Sequence, residues 1–264
     1  MNKVIRAEFG RTINAGLIIA IAGIIFSICF DSFNDLIAGL RNGQGYVGYF
    51  FSNAAFGGMC THYMLPVFTA LPFSVSLCQE RNNKAVSYIV SREGKNRYIF
   101  AKFIVSAVSG GFVAACGTVL LFLMLAMRFP IAGDEFEGAV VSDYFHEWSA
   151  VYYPQLYILT LSILAFCRGV IWSSLALCVS LYTSDFMVVL LSPFLGSYVL
   201  VRIFQIIRVP DMVRPDMILI GQVVIKSSGL TLIIAIAISL TIVTLIGAFF
   251  VGKMKEGLKS GTIY

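Results

Sequence analysis

Two histidines, six cysteines and one arginine set alone in a long apolar stretch are the residues of this 264-residue chain that could do chemistry unaided. A zinc hydrolase would place two histidines one helical turn apart around a glutamate, but no HExxH motif is present, and neither His62 nor His146 has a second histidine within helical reach. A serine hydrolase needs a serine and a histidine brought together from different segments, which spacing alone leaves open. The cysteines (Cys29, Cys60, Cys78, Cys116, Cys167, Cys178) lie inside or at the ends of apolar stretches with no CxxC pair. They read as small buried hydrophobes, not as a disulfide framework or metal site. No catalytic, cofactor-binding or metal-binding set is assigned.

Two stretches imitate nucleotide-binding motifs. "GAFFVGKM", Gly247 to Met254, has the spacing of a phosphate loop, but Met254 stands where a magnesium-binding hydroxyl is required. It also closes an apolar run, which makes Lys253 a snorkelling lysine at a span end. "VSGGF", Val108 to Phe112, is similar to an ATPase signature sequence yet lies deep in an apolar run, where small residues permit close helix packing. The chain therefore carries no ATPase of its own.

The elements that must position these residues follow from composition. Hydrophobic residues make up 58% of the chain and charged residues 12%, about half the charge of an ordinary soluble domain. A soluble fold of this size leaves roughly a quarter of its chain surface exposed, too much for so apolar a sequence. The expected fold class is an all-α integral membrane protein, one transmembrane domain over residues 1-264. Its six spans fall at about 13-30, 55-79, 103-127, 156-182, 186-203 and 229-252. Lys3, Arg6 and Arg11 precede the first run like a secretory signal, but that run lacks a small-x-small cleavage site before Asp31, so it reads as a retained span. Pro66 and Pro72 predict a kinked second span. "MILIGQVVI", Met217 to Ile225, is about half the length needed to cross and is expected to be re-entrant or interfacial.

Six spans put both termini on one side, and lysine and arginine counts decide which. Twelve fall on the side of the termini and six on the other, while nine of the fourteen acids lie opposite the termini. Both termini, and the segment from Glu80 to Lys102, are expected in the cytoplasm. Arg168 is the one charge at bilayer depth. It costs at least about 2.5 kcal/mol there and serves either a structural role or a substrate pathway. The acidic loop "GDEFEGAVVSDYFHEW" could attract a cationic peptide, although such a loop is usually only a solvated surface.

"CQERNNKAVSYIVSREGKNRYIFAKF", Cys78 to Phe103, gathers eight charges between two uncharged stretches: Glu80, Arg81, Lys84, Arg92, Glu93, Lys95, Arg97 and Lys102. Glu80 to Ser91 reads as a helix with Lys84 one turn after Glu80, and "SREGKNR" as a turn. Such a segment can present a charged face to a soluble partner or anchor on anionic lipid.

The layout of spans, the mixed-charge start (Lys3, Arg6, Glu8, Arg11) and this loop resemble permease subunits of the type-2 ATP-binding-cassette exporter family. The motif part covers only about Phe73 to Phe103: an acid ending span 2 (Glu80), a short helix, a basic turn (Arg92 to Arg97) and a lysine at the mouth of span 3 (Lys102). The resemblance implies a half-transporter in the bacterial inner membrane, pairing with a second permease chain as a homo- or heterodimer. It would dock through the eight island charges and the N-terminal segment on a cytoplasmic ATPase that holds ATP and magnesium. Its substrates would include antimicrobial peptides, drugs or lipid-like molecules. Membrane lipid is an expected partner and nucleic acid is not. The rival readings are a secondary transporter, which would carry titrating acids inside its spans, and an intramembrane enzyme built on His62 and a serine or acid at one depth.

Overall fold

Asn14 turns the chain where its first apolar run begins. The computed structural model describes residues 2–42, 47, 50, 58–131, 153–223 and 225–260, and no strand occurs among the described residues. Helix α1 (Asn2–Thr12) is mixed in charge, whereas α2 (Ala15–Asp31) has no charge before its last residue. The two are bent by 56°. Asn14 Nδ2 donates to Arg11 O at 3.1 Å, and Asn14 Oδ1 accepts from Leu17 N at 3.1 Å. One side chain thus serves a carbonyl closing one helix and an amide opening the next.

A short helix, α3 (Phe33–Asn42), follows α2, and the second apolar run then forms two helices where one kinked span was expected. Helix α4 (Met59–Ala70) contains Pro66, and α5 (Ser76–Asn82) begins only after a turn over residues 71–75 that contains Pro72. Proline donates no amide and crowds the carbonyl four residues back, so the second proline breaks what the first leaves intact. Neighbours compensate the break. Ser74 Oγ donates to Ser173 O at 2.9 Å and lies 3.0 Å from Ser106 Oγ. At the start of α4 the Asp31 carboxylate accepts from Cys60 N at 2.9 Å and Thr61 N at 2.6 Å, capping a helix from a distant segment.

The charged island is also more helical than its composition predicts. Helix α5 stops at Asn82, Lys84 takes a left-handed φ of 53°, and α6 (Val86–Glu93) starts afresh. Lys84 therefore does not lie one turn after Glu80 on a common helix. The expected turn over Ser91 to Arg97 shrinks to Gly94, with φ 87°, because Lys95–Arg97 already belong to α7 (Lys95–Ala126). Glycine supplies that φ without the Cβ clash that another residue would meet.

Helix α8 (Pro154–Val179), α9 (Phe186–Ile207), the short α10 (Pro215–Ile220) and α11 (Ser228–Ser260) complete the chain. Span boundaries drawn from apolar runs stop short of α9 and α11. Helix α9 continues through Arg202 to Ile207, with Arg202 exposed and stacked 5.2 Å from the Tyr198 ring centroid. Helix α11 likewise passes Gly252 to Ser260. A charge ends an apolar run, but not the hydrogen-bonded helix carrying it. Met217 to Ile225 yields α10, six residues closed by Gly221 in the left-handed region.

Among the described residues four helices, α7, α8, α9 and α11, are long and apolar enough to cross a membrane, five if the bent α1–α2 pair counts as one span. The architecture is that of an all-helical protein compatible with multiple membrane crossings. Helix α8 is central, in contact with α4, α7, α9, α10 and α11. Its closest approach, to α7, is made by glycines: a Cβ on Gly169 would come within 2.9 Å of Gly111 Cα. Small residues let backbones meet where lipid gives no hydrophobic drive to associate.

Candidate functional site

Lys102 enters the protein interior eight residues into α7 and has no exposed surface. A buried ammonium is costly unless its charge and its protons are all met. Its Nζ donates to Glu80 Oε1 at 2.7 Å, Glu8 Oε2 at 3.0 Å and Ser76 Oγ at 3.2 Å, and it sits 4.7 Å from the Phe73 ring centroid. Glu80 is in turn held by Tyr98, whose hydroxyl donates to Oε2 at 2.6 Å, and by Arg11 Nη1 at 2.5 Å. Arg11 also reaches Glu8 at 3.4 Å. Two carboxylates thus face two cations.

Burial pushes the Glu80 carboxyl up. The Lys102 ammonium, the hydrogen bonds from Lys102 and Tyr98, and the Arg11 charge outweigh it and hold Glu80 below the usual carboxylate range. The junction fastens three elements that meet nowhere in sequence: α1 through Glu8 and Arg11, α5 through Ser76 and Glu80, and α7 through Tyr98 and Lys102. A shift of any one must move or break the others.

The eight island charges divide accordingly. Glu80 and Lys102 are inside the junction, so neither presents a surface to a soluble molecule. Arg81 donates to Ser180 O at 2.9 Å and Leu181 O at 3.2 Å, tying α5 to the end of α8. Lys84, Arg92, Lys95 and Arg97 are exposed, and Glu93 pairs with Arg92 at 2.9 Å. Behind them Val86 and Val90 of α6 bury against Tyr98, Ile99, Phe250 and Met254, while Tyr88 points outward, 69% exposed. The island is a basic outer rim over an ionic interior.

No protein-family model, curated protein or solved structure matches this chain. Its function must be read from the geometry.

Arg168, on α8, is 7% exposed and makes no hydrogen bond or ion pair among the described residues. It borders a cavity of about 320 Å³ walled by His62, Tyr63, Gln205, Arg214 and Asp216 as well. Asp216 is already taken: Arg214 Nη2 donates to its Oδ2 at 2.7 Å and Nε to its Oδ1 at 3.3 Å. His62 and Asp216 also line a smaller adjoining cavity with Ser197, so the residue types of a hydrolytic relay do converge. The bonds of such a relay are not made, since Ser197 donates to Phe194 O at 2.9 Å and His62 bonds to neither. The described residues hold no group of three or more His, Cys, Asp or Glu placed to bind a metal.

Glu8, Arg11, Ser76 and Tyr98 were not singled out as site residues from sequence. The available signal was Glu8, an acid among basic residues ahead of the first span. Tyr98 and Ser76 offered none. His146 and the acidic loop from Gly133 to Trp148 lie outside the described residues.

Proposed function

We propose that this chain is a membrane permease subunit whose basic island docks a separate cytoplasmic ATPase and whose helices carry substrate across the bilayer. The observation that carries the reading is the four-charge junction of Glu8, Arg11, Glu80 and Lys102. It couples an N-terminal helix and a charged inter-span loop, the two segments that would meet the ATPase, to α7, a helix of membrane-crossing length. In this reading the exposed Lys84, Arg92, Lys95 and Arg97 touch the partner, and the buried junction passes its movement inward. Coupling of this sort needs a contiguous physical linkage, which the junction supplies.

On the same reading the broken α4–α5 run completes six spans, both termini face the cytoplasm of a bacterial inner membrane, and a second permease chain faces this one across the pathway. The apolar windows of α9 and α11 are only 22% and 17% buried within the chain, which leaves them free for lipid or that second chain. ATP and magnesium would be bound by the partner. The substrate would be a peptide, drug or lipid-like molecule.

Purified alone, the protein should not hydrolyse ATP. Co-expressed with an ATP-binding-cassette subunit encoded beside it, it should copurify with that subunit and stimulate its hydrolysis. Transport that persists in proteoliposomes holding only this chain would reject the reading.

A further inference from the structure

Arg168 is the feature that the docking reading leaves unused. A guanidinium in so enclosed a position needs an anion or water on every face, because desolvation otherwise costs more than a fold retains. The protein withholds its own anion, since both oxygens of Asp216 are engaged by Arg214, and Arg214 also reaches Asp211 at 3.2 Å. Asp216 thus makes its ion pair with Arg214 and none with Arg168. Among the described residues Arg168 thus has no hydrogen-bond or ion-pair partner, and it stands on a cavity wall.

The rest of the lining is what an amphiphilic anion would require. Gln205 accepts a hydrogen bond from Arg202 on Oε1 at 3.0 Å, which leaves its amide NH₂ as a donor. Met59, Val201, Met217 and Ile220 provide the apolar part. Volumes of about 300 Å³ and above, mostly apolar with a few fixed polar groups, are those of small-molecule sites. A planar guanidinium fork favours the paired oxygens of phosphate or carboxylate over a spherical ion.

We propose that this cavity is a binding site for an oxyanion of the phosphate or carboxylate class, gripped by Arg168 and borne on a lipid headgroup or free in solution. The site is independent of the ATPase reading, because binding can be measured on the purified chain alone.

The experiment is equilibrium binding to the full-length protein in an uncharged detergent, with three probes in parallel: inorganic phosphate, dihexanoyl phosphatidylglycerol and decanoate. At least one should bind saturably. Arg168→Gln should weaken that probe at least tenfold, Arg168→Lys should fall between, and the exposed Arg128→Gln should match the parent. Binding of phosphate alone assigns a free anion, and binding only of the two amphiphiles assigns a headgroup with its apolar flank. Thermal unfolding without ligand separates binding from architecture: Arg168→Gln should unfold at the same temperature as the parent or higher, since it removes an unpaired charge. Absence of binding by all three probes to the parent overturns the proposal, as does equal binding by Arg168→Gln. Should Arg168→Gln not fold, Arg168→Lys decides, because parent-like affinity in that variant would overturn the bidentate grip.

Discussion

Lys102 Nζ and Glu80 Oε1 stand 2.7 Å apart, with side chains 0% and 5% exposed, at the meeting point of α5 and α7. Charges this enclosed are tolerated because each has more than one partner, and loss of Lys102 would leave two carboxylates to share the single cation Arg11. Removing one member of a buried pair costs about 3–5 kcal/mol, whereas replacing both by apolar groups is often close to neutral. Lys102→Met should therefore lower the unfolding temperature in detergent sharply. Adding Glu8→Gln and Glu80→Gln to it should recover much of the loss. Additive effects of the three substitutions, measured by chemical denaturation, would show that the contacts are not coupled.

The same junction sets a pH dependence. Glu80 gives up its proton more readily in the folded protein than at the ordinary carboxylate value of 4.5. The ionised form thus contributes stability that is complete above about pH 4.5 and disappears as pH falls through the lower folded value. Between pH 6 and pH 3.5 the parent should lose more unfolding temperature than Glu80→Gln, whose amide has nothing to titrate. Parallel curves would remove Glu80 as the group responsible.

What could be read from sequence was what lipid dictates. Apolar runs, broken only by Arg168 in α8, marked most of α7, α8 and α11, and the island stood out because charge interrupts apolarity. Glu80 and Lys102 drew notice as boundary charges, yet nothing local indicated that they turn inward toward each other and toward Glu8, 94 residues from Lys102. Helix ends were misplaced for a related reason: hydropathy reports where lipid stops, and Lys95–Lys102 and Arg202–Ile207 stay helical beyond it. The second span failed at Pro72, because the outcome depended on whether Ser106 and Ser173 were near enough to stitch the broken chain.

Glycine provides a test with opposite signs. At Gly169 a methyl would meet backbone atoms of Gly110 and Gly111, which cannot swing aside, while at Gly252 it would meet nothing within 4 Å. Gly169→Ala should destabilise by about 1–3 kcal/mol through overpacking. Gly252→Ala, in the interior of α11, should stabilise by up to about 1 kcal/mol through helix propensity. Unfolding of the two variants in one detergent checks both.

Asp31 caps α4 from the end of α2, accepting two of the amides that a helix start leaves without partners. Asp31→Ala should cost about 0.5–2 kcal/mol, and Asp31→Asn less, because the amide oxygen can still accept one bond. Faster hydrogen exchange at Cys60 and Thr61 in Asp31→Ala would locate the loss at that helix start.

The division of the island into rim and interior makes the docking proposal separable from folding. Arg92, Lys95 and Arg97 are exposed, and among the described residues only Arg92 has an ion-pair partner, the neighbouring Glu93. Reversing all three to glutamate should leave insertion intact and the unfolding free energy within about 0.5 kcal/mol of the parent, as expected for surface substitutions. Association with the ATPase should nevertheless weaken, and its salt dependence should flatten, because those charges would no longer meet complementary acids. Glu80→Gln should do the reverse, lowering stability while the docking surface keeps its charge. If the triple reversal binds the ATPase as tightly as the parent, the rim is not the docking surface, and the junction beneath it would have nothing to transmit.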